Sequence, residues 1–337
     1  MLRILRVLAP NPGPYTLEGT NTWIVGLDPA VVIDPGPERQ EHLEAVASEA
    51  GRVGAVLVTH RHPDHARGAA RLAQATGAPL LAFPVRTGPD DLSVQAELLA
   101  DGREIEVGGG RLITVHTPGH TPDHASFFAP GAGALFTGDT VLGRGTSVID
   151  PAEGDLAVYL RSLRRLRDLR PRAIYPGHGP AVFDGVGKLD EYLRHRAQRE
   201  TQVVDVLRRG PRTAAEIVPE VYGTYPAELH PAAARSVLAH LVKLEREGRV
   251  VRAGGVGDDA SFALLELQDC ERCGRPAMPR SRLCQRCTVD LLQEPPTPQA
   301  APPAGPNPLD LGQGEQGPEV RNDVAPPAQP DEALGDE

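Results

Sequence analysis

Thr59, His60, Arg61, His62, Pro63, Asp64 and His65 follow one another, so three imidazoles and a carboxylate fall within six positions. They come directly after the apolar run 55–58. A β-branched stretch that ends in a polar, proline-bearing segment reads as a buried strand feeding a loop. His60 and His62 are two residues apart and point to the same side of an extended backbone. Imidazole and carboxylate are both zinc ligands, and a loop at a strand end can converge several of them on one point. A lone histidine is usually a packed or solvated residue. Four ligand-type side chains at this spacing point instead to metal chemistry.

Three further segments supply ligand types, each after a strand-like run. Thr117-Pro118-Gly119-His120 follows 112–115, Thr137-Gly138-Asp139-Thr140 follows 134–136, and Pro176-Gly177-His178-Gly179 follows 173–175. Their glycines permit sharp turns and close backbone approach, so side chains can reach a shared point beyond the strand edge. The candidate ligands are His60, His62, Asp64, His65, His120, Asp139 and His178. Seven are too many for one zinc with an open position and suit two. His60, His62 and His120 are assigned to one metal, Asp64, His65 and His178 to the other, and Asp139 to a bridge between them. Zinc is the expected metal, although manganese and iron suit the same donors.

These loops need elements to hold them. Strand-like runs occur at 22–25, 30–33, 55–58, 112–115, 125–128, 134–137 and 173–175. Helix-like segments occur at 42–50, 66–76 and 155–170. In the last of these, Leu156, Tyr159, Leu160, Leu163 and Leu166 share one face. Arg161, Arg164, Arg165, Arg167 and Arg170 share the other, which is either a solvated face or a phosphate-contacting one.

After Gly179 the pattern becomes helical. Segment 188–209 reads as a long helix, Thr213-Ala214-Ala215-Glu216 as a capping box, and 231–247 as a third helix. Runs 249–252 and 261–265 flank a Gly/Asp-rich turn and read as a hairpin. Three helices closed by a hairpin describe a winged helix, used either for nucleic-acid contact or for dimerisation and packing. Its third helix offers a modest basic set of Arg235, His240, Lys243 and Arg246.

Cys270, Cys273, Cys284 and Cys287 form two C-x2-C pairs ten residues apart. They are read as a knuckle closed by one structural zinc; redox thiols are the alternative. From residue 293 the chain is rich in Pro, Ala and acids and is expected to be disordered. Of the net charge of −10, −8 falls on 293–337, leaving −2 on the body. The acidic total therefore does not argue against a nucleic-acid substrate. Neither a signal peptide nor a membrane-length apolar run is evident. With clustered cysteines, this suggests a cytoplasmic protein without a membrane partner.

The H-x-H-x-D-H run, the downstream P-G-H, the G-D and the final P-G-H-G resemble the metallo-β-lactamase superfamily, and every metal position matches. The resemblance implies an α/β fold, the four-layer αβ/βα sandwich, over about 1–185. A winged helix is expected at 186–267, the zinc knuckle at 268–292 and the tail at 293–337. Asn11-Pro12-Gly13-Pro14 with Gly19-Thr20-Asn21-Thr22 is similar to the branch that carries a C-terminal winged helix, some of whose members are endoribonucleases. Asp34, in Val32-Ile33-Asp34-Pro35-Gly36, matches an aspartate that supports the site from behind the ligands.

Two metals imply a bridging water that loses a proton near neutral pH and attacks, while the same metals polarise the scissile phosphodiester or acyl group. Asp64 would hold that water and accept its proton. His124, four residues after His120, is a candidate supporting or substrate-facing catalytic group. The expected activity is a metal-dependent hydrolase, foremost an endoribonuclease or phosphodiesterase on single-stranded RNA. A thioester hydrolase of the hydroxyacylglutathione type comes second, and a nucleic-acid- or protein-binding scaffold third. The partner is thus single-stranded RNA or a small thioester, and homodimerisation is left open.

Overall fold

The computed structural model describes residues 2–84, 96–265 and 272. The first sheet begins with β1 (Ile4–Leu8), β2 (Asn21–Val25) and β3 (Ala30–Ile33), followed by helix α1 (Gln40–Ala50) and β4 (Val53–Leu57). Helices α2 (Pro63–Ala66) and α3 (Ala69–Thr76) lead to β5 (Leu80–Ala82) and β6 (Glu97–Leu98). Strands β2, β3 and β4 have every residue buried, or nearly so. This matches their near-continuous apolar sequences, as expected of strands covered on both faces.

The single helix anticipated at 66–76 is two helices, broken at Arg67 and Gly68. Gly68 sits where a Cβ would lie 2.8 Å from the Leu43 side chain and 3.1 Å from the Gly36 carbonyl. Its N–H donates to that carbonyl at 2.9 Å. The close approach to the neighbouring loop redirects the chain there.

The second sheet contains β7 (Glu104–Val107), β8 (Gly110–His116), β9 (Ala125–Ala129) and β10 (Ala134–Gly138), then helix α4 (Leu156–Asp168) and β11 (Ala173–Pro176). Its order is β11-β10-β9-β8-β7, and that of the first sheet is β1 to β6 in sequence. Trp23, Val31, Ile33 and Leu57 of the first sheet pack against Leu112, Phe127 and Phe136 of the second. On its outer face the first sheet packs Ile24, Val32 and Val56 against Leu43, Val46 and Leu72 of α1 and α3. The second packs Val115, Phe128, Leu135 and Ile174 against Leu156, Tyr159, Leu163, Leu189 and Tyr192. These interfaces make the four αβ/βα layers.

Helix α5 (Gly185–Leu207) leads into β12 (Arg212–Thr213), α6 (Ala214–Tyr222), α7 (His230–Arg246), β13 (Val250–Gly254) and β14 (Ser261–Leu264). The capping box is present: Glu216 N–H donates to Thr213 Oγ1 at 3.2 Å, and Thr213 N–H to Glu216 Oε2 at 2.8 Å. Val206, Ile217, Val237, Leu241 and Phe262 form a core of their own, which completes the winged helix. Helix α7 does not stand free. Its Ala239 belongs to the core that covers the second sheet, so the winged helix packs on the catalytic portion.

The basic set of α7 is taken up inside the molecule. Arg235 pairs with Asp150 and Asp258, Lys243 with Glu200 and Glu247, and Arg246 with Asp155, while His240 is buried. On α4, Arg165 pairs with Asp101, and Arg167 with Asp168 and Asp190. Arg161, Arg164 and Arg170 are exposed and have no acidic partner among the described residues. The four cysteines assigned to a zinc knuckle, and the acidic tail, lie outside the described residues.

Glu200 on α5 ties the winged helix together, reaching Lys243 at 2.7 Å and Arg249 at 2.6 Å. Contacts from His240, Lys243 and Arg249 hold its carboxyl down to about 2, against the opposing effect of burial. An unfolded glutamate titrates near 4.5. A depressed carboxyl stabilises the fold fully above the unfolded value and ceases to do so as pH falls through the folded one. The melting-temperature gap between wild type and Glu200→Gln should therefore be widest above pH 4.5 and close toward pH 2. A gap that is flat across that range would exclude this role.

Candidate metal centre

All seven proposed ligands meet at one end of the sandwich. β4 delivers His60, His62, Asp64 and His65, the β8–β9 loop delivers His120, and the ends of β10 and β11 deliver Asp139 and His178. They form two groups, His60, His62, His120 and Asp139 in one, and Asp64, His65 and His178 in the other.

In the first group His60 Nε2 and His120 Nε2 lie 2.9 Å and 3.2 Å from His62 Nδ1. Ligands about 2.05 Å from a tetrahedral zinc stand roughly 3.3 Å apart, so three lone pairs converge at the spacing of one coordination face. In the second, His178 Nε2 lies 3.2 Å from both His65 Nε2 and Asp64 Oδ2. Asp139 spans the two. Its Oδ1 is 3.4 Å from both His65 Nε2 and His178 Nε2, and its Oδ2 is 3.8 Å from His120 Nε2. The donor set fits two divalent cations sharing Asp139.

The outward nitrogen of every one of these histidines has a partner. His65 Nδ1 donates to Asp34 Oδ2 at 2.8 Å, His120 Nδ1 to the Val148 carbonyl at 3.0 Å, and His178 Nδ1 to the Gly19 carbonyl at 3.1 Å. His62 Nε2 donates to Glu153 Oε2 at 3.0 Å. Thr59 Oγ1 donates to Asp34 Oδ2 at 2.8 Å and is therefore free to accept from His60 Nδ1 at 3.0 Å. Such partners fix the tautomer and leave the inward nitrogen as a lone pair. Asp34 is buried, bonded directly to His65 and through Thr59 to His60, at a φ of 53°.

Charge in the centre is dominated by carboxylates. Burial opposes a proton on His65, yet Asp139, Asp64 and Asp34 hold it well above the usual imidazole range. His178 is raised to about 9 by Asp139 and Asp64, again against burial. Burial likewise opposes the Asp64 charge, but His65 and His178 draw its carboxyl down to about 2. The carboxylates that hold protons on these two imidazoles would equally favour a cation in their place.

His124 lies behind the ligands. It is fully buried, its ring stacked on His60 at 5.0 Å. Its Nδ1 meets the Thr117 hydroxyl at 2.9 Å, and its Nε2 accepts the Asp139 N–H at 3.2 Å. Of the two expectations for His124, these contacts fit the supporting one, in which the side chain holds the Asp139 loop. Sequence reasoning also passed over Thr59, Glu153 and Asp123, whose carboxylate accepts the Arg61 N–H at 2.9 Å. Isolated polar residues in loops carry no spacing signal, so only Thr59, adjoining the histidine run, was within reach of pattern reading.

A Cβ at Gly177 would stand 2.6 Å from His65 Cε1 and 2.7 Å from Asp139 Oδ1. His65 is held by Asp34 and Asp139 lies 3.4 Å from it, so Gly177→Ala should force two donors apart. We expect metal affinity to fall roughly tenfold or more, measured by chelator competition. Unchanged affinity would show slack that these distances do not suggest.

Residues 15–178 match the family described as the Metallo-beta-lactamase superfamily. The chain is 35% identical over 265 residues to the Beta-lactamase-like protein 2 homolog of Drosophila melanogaster, covering 73% of this chain and 89% of that one. The chain belongs to the metallo-beta-lactamase superfamily. Residues 213–259 match the Beta-lactamase associated winged helix domain. It is also 36% identical over 268 residues to the Atrochrysone carboxyl ACP thioesterase of Aspergillus chevalieri, covering 74% of this chain and 82% of the relative. The solved structure of a Beta-lactamase domain protein from Burkholderia ambifaria shares the fold, with a TM-score of 0.66 at 24% identity, over 78% of this chain and 91% of that one. The protein is accordingly a superfamily hydrolase with a His/Asp cluster suited to a dinuclear centre. Among the described residues, no helix is long and apolar enough to cross a membrane.

Proposed function

We propose that this hydrolase cleaves an acyl thioester. The observation that carries the choice is the pairing of Arg235, Lys243 and Arg246 with acids of the same chain. A winged helix reads nucleic acid with a free basic helix, and α7 spends its cations internally. The RNA expectation draws on the winged helix and on the branch resemblance, and these pairings remove the first support. Support for the thioester comes from the Aspergillus relative, whose likeness spans more of this chain than the catalytic portion alone.

In this reading His60, His62 and His120 would hold one cation and Asp64, His65 and His178 the other, with the Asp139 carboxylate within reach of both groups. Two divalent ions bound there would supply Lewis acidity toward the scissile carbonyl and would acidify a water nucleophile. The chain contributes orientation. Asp64, with 28% of its side chain exposed, meets the open side of the centre. Its low-lying carboxyl keeps it ionised, so it can accept a hydrogen bond from the attacking water. Asp34, Thr59 and His124 keep the donors from rotating, so little reorganisation is needed when charge develops on the carbonyl oxygen.

Cleavage of single-stranded RNA is the second reading, favoured by Arg161 and Arg164 on α4 and Arg170 just after it, which have no acidic partner among the described residues. One panel decides between them. Purified protein loaded with zinc or manganese is assayed on acyl-CoA, acyl-pantetheine, S-lactoylglutathione and labelled single-stranded RNA, with Asp64→Ala as control. Thioester turnover that is lost in the variant supports the proposal. RNA cleavage without thioester turnover overturns it.

A further inference from the structure

Glu153 lies in the connection between β10 and α4, apart from every ligand motif. Its carboxylate accepts the His62 Nε2–H at 3.0 Å and stands 3.4 Å from Arg61 Nη2. A carboxylate can only accept, so this contact commits the His62 proton to Nε2. The Nδ1 lone pair is left facing His60 and His120. The same connection supplies the Val148 carbonyl that orients His120. One loop therefore sets two of the three imidazoles at the first metal position.

The winged helix grips that loop on either side of Glu153. Arg235 of α7 is bidentate on Asp150, with Nε 2.8 Å from Oδ2 and Nη2 2.5 Å from Oδ1. Arg246 of α7 pairs with Asp155. Further back, buried Arg196 of α5 donates to the Ser147 carbonyl. On the opposite side the loop rests on the turn that carries His120: Asp155 N–H donates to the Gly119 carbonyl at 2.9 Å. A Cβ at Gly154 would meet that carbonyl at 2.3 Å. The loop is thus held between the β8–β9 turn and α7.

We propose that Glu153 is a positioning residue for the first metal position, and that the winged helix sets metal affinity there through Arg235 and Arg246. This assigns the winged helix a task within the hydrolase itself. It rests on the dinuclear centre and not on the identity of the substrate, so it stands or falls apart from the thioester proposal.

The test is metal binding by the full chain. Protein stripped by chelation is titrated with cobalt(II) against a competing chelator, with the visible absorption of cobalt as a second readout. Glu153→Ala should weaken one of the two binding steps roughly 10- to 100-fold, as loss of a ligand-orienting partner does, and leave the other unchanged. Its cobalt spectrum should change with it. Glu153→Gln keeps an oxygen that accepts the Nε2–H and should restore affinity to within about threefold. Arg235→Ala with Arg246→Ala should reproduce the one-step weakening. Should that double variant not fold, Asp150→Asn breaks the same bidentate pair from the catalytic side. Equal weakening of both steps, no weakening in Glu153→Ala, or failure of Glu153→Gln to rescue would overturn the Glu153 role. Unchanged affinity in the folded arginine variant, or in Asp150→Asn, would overturn the winged-helix role.

Discussion

Replacement of Asp139 by Asn is expected to lower kcat on the order of 10³-fold, about 4 kcal/mol of transition-state stabilisation, and to cost at least one bound metal per chain. The substitution is nearly isosteric and leaves the fold intact. It acts on the single group that faces both halves of the centre, with one oxygen toward His65 and His178 and the other toward His120. An amide can offer one oxygen, never two, and its NH2 would confront lone pairs or cations. It also removes the negative charge. Burial resists that charge, but His178 and His65 keep the carboxyl well below its usual range. Metal analysis together with single-turnover kinetics would check the result. Two metals retained with more than a tenth of the wild-type kcat would mean that Asp139 is not shared between the positions.

Asp34→Ala is expected to be nearly as damaging, although Asp34 touches neither substrate nor metal. Its carboxylate accepts three hydrogen bonds: from Thr59 N–H at 2.7 Å, Thr59 Oγ1 at 2.8 Å and His65 Nδ1 at 2.8 Å. Each buried donor left without a partner costs roughly 1–3 kcal/mol, so stability should fall by about 3 kcal/mol or more. The left-handed backbone at this position adds strain for alanine. Metal affinity should fall roughly 10- to 100-fold, because both His60, through Thr59, and His65 lose their anchor. Calorimetry with chelator competition would measure both effects. Asp34→Asn should recover part of the stability, through the oxygen that still accepts the Thr59 N–H, and little of the affinity. Full recovery of affinity by Asn would show that the charge and the second acceptor are not needed.

Much of this was legible in the linear chain. His60, His62 and His65 are close in sequence, and the apolar run before them and the glycine turns before His120 and His178 mark strand ends. Fully buried strands leave continuous apolar runs, so β2, β3, β4, β9 and β10 could be placed to within a residue or two. Short edge elements were missed. β6 has two residues, both exposed, and β12 has two half-buried ones, too few for any period to register. β1 is also absent from the strand-like runs of the sequence, although it pairs antiparallel with β2 at the edge of the first sheet.

The sequence by itself determined the donor types, their number and their attachment to four strand ends, because ligand chemistry and strand termination are both local properties of the chain. Tertiary structure decided which nitrogen of each histidine faces inward, since that depends on acceptors as distant in sequence as Asp34 from His65, Val148 from His120 and Gly19 from His178. It also turned His124 from a candidate catalyst into a support for Asp139. And it determined that Arg235 and Arg246 of α7 pair with the loop beside the centre. Their charge was visible in the sequence, but whether a charge is free or paired depends on which acids lie across the interface, and Asp150 and Asp155 are brought there only by packing.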